Sequence, residues 1–114
     1  MTEQEIFDAV VRHLKKQGRR ALNKDQCVYR GSNGLKCAVG CLISDAEYTP
    51  SMEGHTVDAI TLPERLRVHR RLLCHLQEDH DRALDLDDCL NSMRATAVQY
   101  KLNPAVLDEV LHAD

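Results

Sequence analysis

Three stretches of this chain carry apolar residues at helical spacing, and the long middle of the chain does not. That division constrains the fold more than any other feature. Ile6, Phe7, Val10, Val11 and Leu14 recur with the period that places side chains on one face of an α-helix. Thr2 followed by Glu5 is a capping-box pair, Lys15 and Lys16 suit the negative end of a helix dipole, and Gly18 can take a left-handed stop. A helix over about residues 3–17 is predicted. Pro63 fits a first helical turn, and Leu66, Val68, Leu72, Leu73 and Leu76 supply an apolar face, with Arg65, Arg67, Arg70 and Arg71 facing water. This predicts a helix over about 63–79. After a polar break around Ala83-Leu84, a third stripe follows over 85–100: Leu86, Cys89, Leu90, Met93, Ala97 and Tyr100. Asp85, Asp87 and Asp88 lie at its positive end. Asn103-Pro104 then opens a short last helix carrying Leu107, Val110 and Leu111.

The middle reads differently. Arg19 to Gln26 is a connector. Cys27-Val28-Tyr29-Arg30 and Leu35-Lys36-Cys37 flank Gly31-Ser32-Asn33-Gly34, and Asn-Gly tolerates positive φ, so the spacing predicts a β-hairpin. Two short strands are marginal alone in water, so this hairpin has to pack on helices. Cys37 to Ile43 is apolar throughout and is read as a short buried helix ended by Ser44-Asp45, with Ala38 and Gly40 allowing another backbone close. Asp45 to Ile60, with Pro50 and Gly54, has no period. It reads as an irregular loop with one helical turn at Asp45–Tyr48, long enough to be a candidate functional loop. With no Trp and one Phe, the core has to be mostly Leu, Val, Ile, Ala and Cys. The expected fold is mainly α with one small β-hairpin: a single domain over 1–114 with about four to five helices.

Composition excludes several classes. At 43% hydrophobic and 29% charged the chain is ordinary for a globular protein. No apolar run reaches membrane-span length, and the acidic start Met1-Thr2-Glu3-Gln4-Glu5 does not read as an export signal. The five cysteines are an odd number, which fits reduced thiols in a cytoplasmic chain. A net charge of −3 argues against direct nucleic-acid binding. The charge is uneven: residues 1–37 carry eight Lys/Arg and four Asp/Glu, net +4, and residues 38–114 carry seven and fourteen, net −7. Such asymmetry can steer a charged partner, although folding can also interleave the two halves.

Three constellations carry possible chemistry. Cys37 and Cys41, with Cys27 and one of His55, Cys74, His75 or Cys89, could form a zinc tetrahedron. The usual second Cys pair is missing, however, and apolar surroundings oppose thiolate formation, so no metal and no cofactor is expected. Cys37 at a helix start could be a nucleophile with His55 as base and Asp58 orienting it, a Cys-dependent enzyme reading that Cys41 could also serve. Core packing of these thiols is the competing account. His69, His75 and His80 share no helical face and read as surface or interhelical residues; Arg67 and Arg71 are i,i+4 partners that could hold a phosphate, but solvation and ion pairs to the acidic helix over 85–100 are the favoured account.

The run from Cys27 to Asp45, with Tyr48 and Met52-Glu53-Gly54 after it, resembles a segment of small uncharacterised proteins of phages and prophages, with the pattern YRG, Gly, Lys-Cys-Ala-Val-Gly-Cys-Leu-Ile, Asp, Tyr, Met-Glu-Gly. The match covers residues 27–54. It implies a phage-type accessory protein that binds, and inhibits or modulates, a host protein or complex. Tyr29, Arg30, Tyr48, Met52, Glu53 and His55 lie in the non-helical segments where binding residues concentrate, and are the expected partner-binding set. The alternative is a small-molecule or anion sensor, with a pocket between Gly31–Gly34 and Pro50–Gly54 and with Arg30 or Lys36 taking the anion.

Overall fold

A computed structural model describes residues 1–23 and 26–109. The chain is mainly helical. Helix α1, Glu3–Gln17, has both halves of its capping box: Thr2 Oγ1 accepts from Glu5 N at 3.1 Å and Glu5 Oε1 accepts from Thr2 N at 2.8 Å. It ends on Gly18 at φ 79°, which an L side chain would strain. Its apolar stripe, Ile6, Phe7, Val10, Val11 and Leu14, is wholly buried.

The expected helix over 63–79 is two helices. A single turn, α2 (Glu64–Arg67), is followed after Val68 and His69 by α3 (Arg70–Arg82). Val68, expected on the apolar face, is 80% exposed. It sits only two positions from Leu66, so no helical phase can bury both. Arg70, expected to face water, turns inward and donates to the carbonyls of Val57 (2.6 Å) and Ile60 (3.3 Å). The helix expected over 85–100 is α4 (Leu86–Gln99), which starts at Asp85, whose carboxylate accepts from Asp88 N at 2.8 Å, and packs along α3. Cys89, Met93, Thr96 and Ala97 are buried beneath it. The last element is one 3-10 turn, Ala105–Asp108, against α1; the expected contributions of Val110 and Leu111 lie outside the described residues.

The middle departs most from expectation. The runs read as hairpin strands meet at one bridge, Arg30 with Lys36, flanked by Gly31 N to Leu35 O (2.8 Å) and Cys37 N to Tyr29 O (3.1 Å). Asn33 and Gly34 both take positive φ, as Asn-Gly allows, but within a 3-10 turn, Ser32–Gly34. The regular two-stranded pair lies upstream, in the stretch read as a connector: β1 (Leu22–Asn23) against β2 (Gln26–Cys27). Cys37 to Ile43 is not a full helix. Cys37, Ala38, Val39 and Gly40 are buried, yet only Gly40–Leu42 forms a 3-10 turn, and the chain is extended by Ile43. Asp45 to Ile60 is irregular as expected, with a turn at its start and 3-10 turns at Pro50–Met52 and Val57–Ala59. Met52, Val57 and Ile60 anchor it in the core. The chain folds around one hydrophobic core, with a radius of gyration of 13.1 Å.

Candidate functional site

The residues singled out between 29 and 55 do come together, around the carboxylate of Glu53. Glu53 Oε1 accepts from Tyr29 N at 2.9 Å, and Oε2 accepts from Arg30 N at 3.1 Å and from the Tyr48 hydroxyl at 2.7 Å. One acidic side chain thus closes the Asp45–Ile60 loop onto the Tyr29–Arg30 backbone, where charge-assisted bonds are roughly twice as strong as neutral ones. Arg30 lies over the Tyr48 ring, 4.7 Å from its centre, and bonds to Asp45 and to the Ile43 carbonyl (2.7 Å). Its Nε is buried with no acceptor among the described residues. Burial, reinforced by the Glu53 hydrogen bond and charge, pushes the Tyr48 hydroxyl up to about 12. Tyr29 is buried, its hydroxyl donates to His55 O at 2.7 Å, and desolvation raises its pKa.

Tyr29 and Met52 are buried, Tyr48 and Glu53 bond each other, and the Arg30 guanidinium bonds Asp45 and the Ile43 carbonyl. Of the six expected binding residues, His55 is the one with an exposed side chain. Arg65 and Arg70 staple the same loop. Arg65 is bidentate on Glu47 (2.6 and 2.8 Å) and also donates to Leu42 O (2.8 Å).

The Cys37, His55 and Asp58 constellation is not assembled. Cys37 is fully buried, Gly40 N donates to its Sγ at 3.2 Å, and desolvation drives its pKa up, away from the thiolate a nucleophile needs. Cys41 Sγ donates to Ala38 O at 3.1 Å, and burial raises it to about 12. Asp58 instead accepts from Cys74 Sγ at 3.3 Å. Among the described residues no three His, Cys, Asp or Glu side chains converge as a metal-ligating group, and the side chain of Cys27 lies outside them. Arg67 donates to Leu62 O (3.0 Å), and the break at Val68 and His69 separates it from Arg71, so the i,i+4 phosphate pair is lost. The Gly31–Gly34 turn and the Pro50–Gly54 loop line different clefts, with Gly34 beside Lys16 and Arg19 and Gly54 beside Tyr29 and Thr56.

A second polar network, built on buried Gln77 and His80, does not show in the apolar residue pattern. Gln77 Oε1 accepts from Val39 N (3.0 Å), and its Nε2 donates to Asp81 Oδ1 (2.8 Å). His80 Nε2 accepts from Ala21 N (3.3 Å), which fixes the proton on Nδ1, facing Asp81 Oδ1 at 2.9 Å. Leu73, Gln77 and His80 share one face of α3 at helical spacing, so the spacing is present in the sequence and only the polar identities hide it. This network floors a cleft of about 210 Å³ that Glu53, Gly54 and His55 border. Through Thr56, Gln77 and Asp81 the cleft continues into one of about 360 Å³ reaching Asp58 and Cys74.

No protein-family model, no curated protein and no solved structure matches this chain. Among the described residues no helix is long and apolar enough to cross a membrane.

Proposed function

We propose that this chain is a small cytoplasmic binding protein of the phage or mobile-element kind that its 27–54 segment resembles, engaging a host protein or complex to inhibit or modulate it. The observation that carries this reading is the construction of the Asp45–Ile60 loop. It is long and irregular, yet Glu53, Arg65 and Arg70 clamp it along its length. A loop held so firmly presents its exposed residues in one arrangement, which lowers the ordering cost of association. The exposed residues of that loop include Thr49, Pro50, Ser51 and His55. Tyr29, Arg30, Tyr48, Met52 and Glu53 are the frame beneath them.

The test is affinity capture from a host lysate, followed by reconstitution with the purified partner. A Ser51→Arg/His55→Glu variant should melt like the parent and lose the partner. If no stoichiometric partner is found, or the variant binds it equally, the reading is wrong.

A further inference from the structure

The C-terminal end of α1 borders a second surface, which shares no lining residue with the Glu53 network. A cleft of about 420 Å³ lies between His13, Lys16 and Arg19 on one side and Asn33 and Leu35 on the other, and no carboxylate lines it. Through Arg19 and Leu35 it opens into a wider one of about 620 Å³, bordered by Leu84, Leu86, Asp85 and Asp87. Leu84 is 87% exposed, the most exposed large apolar side chain among the described residues.

Two of the cations here are uncommitted. Arg12, Arg30, Arg65, Arg82 and Arg94 each hold a carboxylate, whereas Lys16 and Arg19 make no ion pair with the described residues. Burial first, and the nearby Lys36 charge in addition, keeps His13 below the usual imidazole range, consistent with a positive local field. The α1 end contributes about half a negative charge, less than the two full charges of Lys16 and Arg19.

We infer that this double cleft docks a short partner segment in which acidic and aliphatic side chains alternate, the acids on Lys16 and Arg19 and the aliphatics on Leu35, Leu84 and Leu86. Charge complementarity selects a peptide over a nucleic acid. Asp85 and Asp87 stand on the far rim, where an unbroken row of phosphates would meet them, while a peptide can set its acids only opposite the cations. The inference extends the binding reading to a second surface, but its test on purified protein does not depend on the Asp45–Ile60 loop.

The probe is a short synthetic peptide alternating glutamate and leucine, titrated into the full chain and followed by amide chemical shifts. Saturable shifts are expected at Gly18, Arg19, Gly34, Leu35, Leu84 and Asp87, weakening as salt rises. Lys16→Glu/Arg19→Glu should weaken binding by about tenfold or more, and Leu84→Ala should weaken it several-fold. All three side chains are exposed, so the variants should melt like the parent. No saturable shift at these amides would overturn the inference. So would equal binding by the charge-reversed variant, equal binding of a lysine–leucine peptide, or tighter binding of a single-stranded oligonucleotide at the same amides. The Ser51→Arg/His55→Glu variant should bind the peptide as the parent does, so this inference and the loop reading can fail separately.

Discussion

Gly40→Ala is the sharpest test of how the middle of the chain is packed. An ideal Cβ on Gly40 would lie 2.1 Å from the Tyr29 carbonyl oxygen, 2.9 Å from its carbon and 3.2 Å from Cys37 Sγ. Ordinary carbon–oxygen contact is more than an ångström longer than the first distance, and the obstacle is backbone, which cannot swing aside. Tyr29 O accepts from Cys37 N at 3.1 Å, and the N–H of the same peptide, that of Arg30, donates to Glu53 Oε2 at 3.1 Å, so moving this peptide strains two anchored bonds. Overpacking costs about 1–3 kcal/mol, and a buried N–H left without its acceptor costs about 1–3 kcal/mol more. The sum is about 2–6 kcal/mol, or a melting temperature lower by roughly 8–25 °C for a chain of this size. Thermal denaturation followed by circular dichroism reads this directly. Gly18→Ala is the control: its Cβ would meet nothing within 4 Å, so it bears only the positive-φ penalty of about 1–2 kcal/mol. If Gly40→Ala melts within a few degrees of the parent, or no lower than Gly18→Ala, the close approach of these two backbones is wrong.

Three further outcomes are expected. Glu53→Ala leaves two backbone N–H groups without their acceptor and should cost on the order of 2–4 kcal/mol, whereas Tyr48→Phe removes one bond and should cost about 1 kcal/mol; the reverse order of melting temperatures would refute the frame. The Arg65 fork, helped by Ser44 N–H, holds the Glu47 carboxyl near 2 against an ordinary 4.5. A depressed carboxyl stabilises the fold above its unfolded value and loses that contribution as pH falls from about 4.5 toward 2, so Arg65→Gln should flatten stability over that window, and an unchanged acid-side slope counts against the pair. Burial, and then the Asp58 hydrogen bond, raise Cys74 to about 11, so Asp58→Asn should speed its alkylation near neutral pH, and an unchanged rate would mean the bond is not made.

The parts of the fold that could be read from the residues are those fixed by near neighbours. Helix α1 is the clearest: cap, stripe and glycine stop all lie within its own span, and each holds. The break at Val68 and His69 does not show in apolar content alone, only in helical phase, where Val68 falls out of step with Leu66. His80, readable from its spacing as a surface or interhelical residue, is buried, and Gln77 with it, because a buried polar side chain is acceptable wherever its partners are built in. Burial of Cys37 to Gly40 was legible from composition. Their single 3-10 turn was not, because it follows from the Tyr29 carbonyl seated against Gly40 and from Arg30 reaching Ile43 O, contacts that no local window contains.

The 27–54 segment is also held by contacts distant in sequence. Its polar and glycine members meet one another: Glu53 takes the backbone of Tyr29 and Arg30, Tyr48 bonds Glu53 and lies under Arg30, Arg30 bonds Asp45, and Gly40 admits the Tyr29 carbonyl. A residue so engaged is constrained by folding whether or not any partner exists. A protein that repeats the pattern would keep this frame, and the pattern alone would not carry a shared partner with it. On the proposed binding reading, the residues that would choose a partner include Thr49, Ser51 and His55, which the frame holds outward, and Lys16, Arg19 and Leu84, which the pattern omits. Exchanging these six between two proteins that share the segment should move binding specificity while leaving the melting temperature near the parent's. Exchanging Tyr48 or Glu53 for unlike residues should do the opposite. If specificity instead follows Tyr48 and Glu53, the frame is itself the recognition surface.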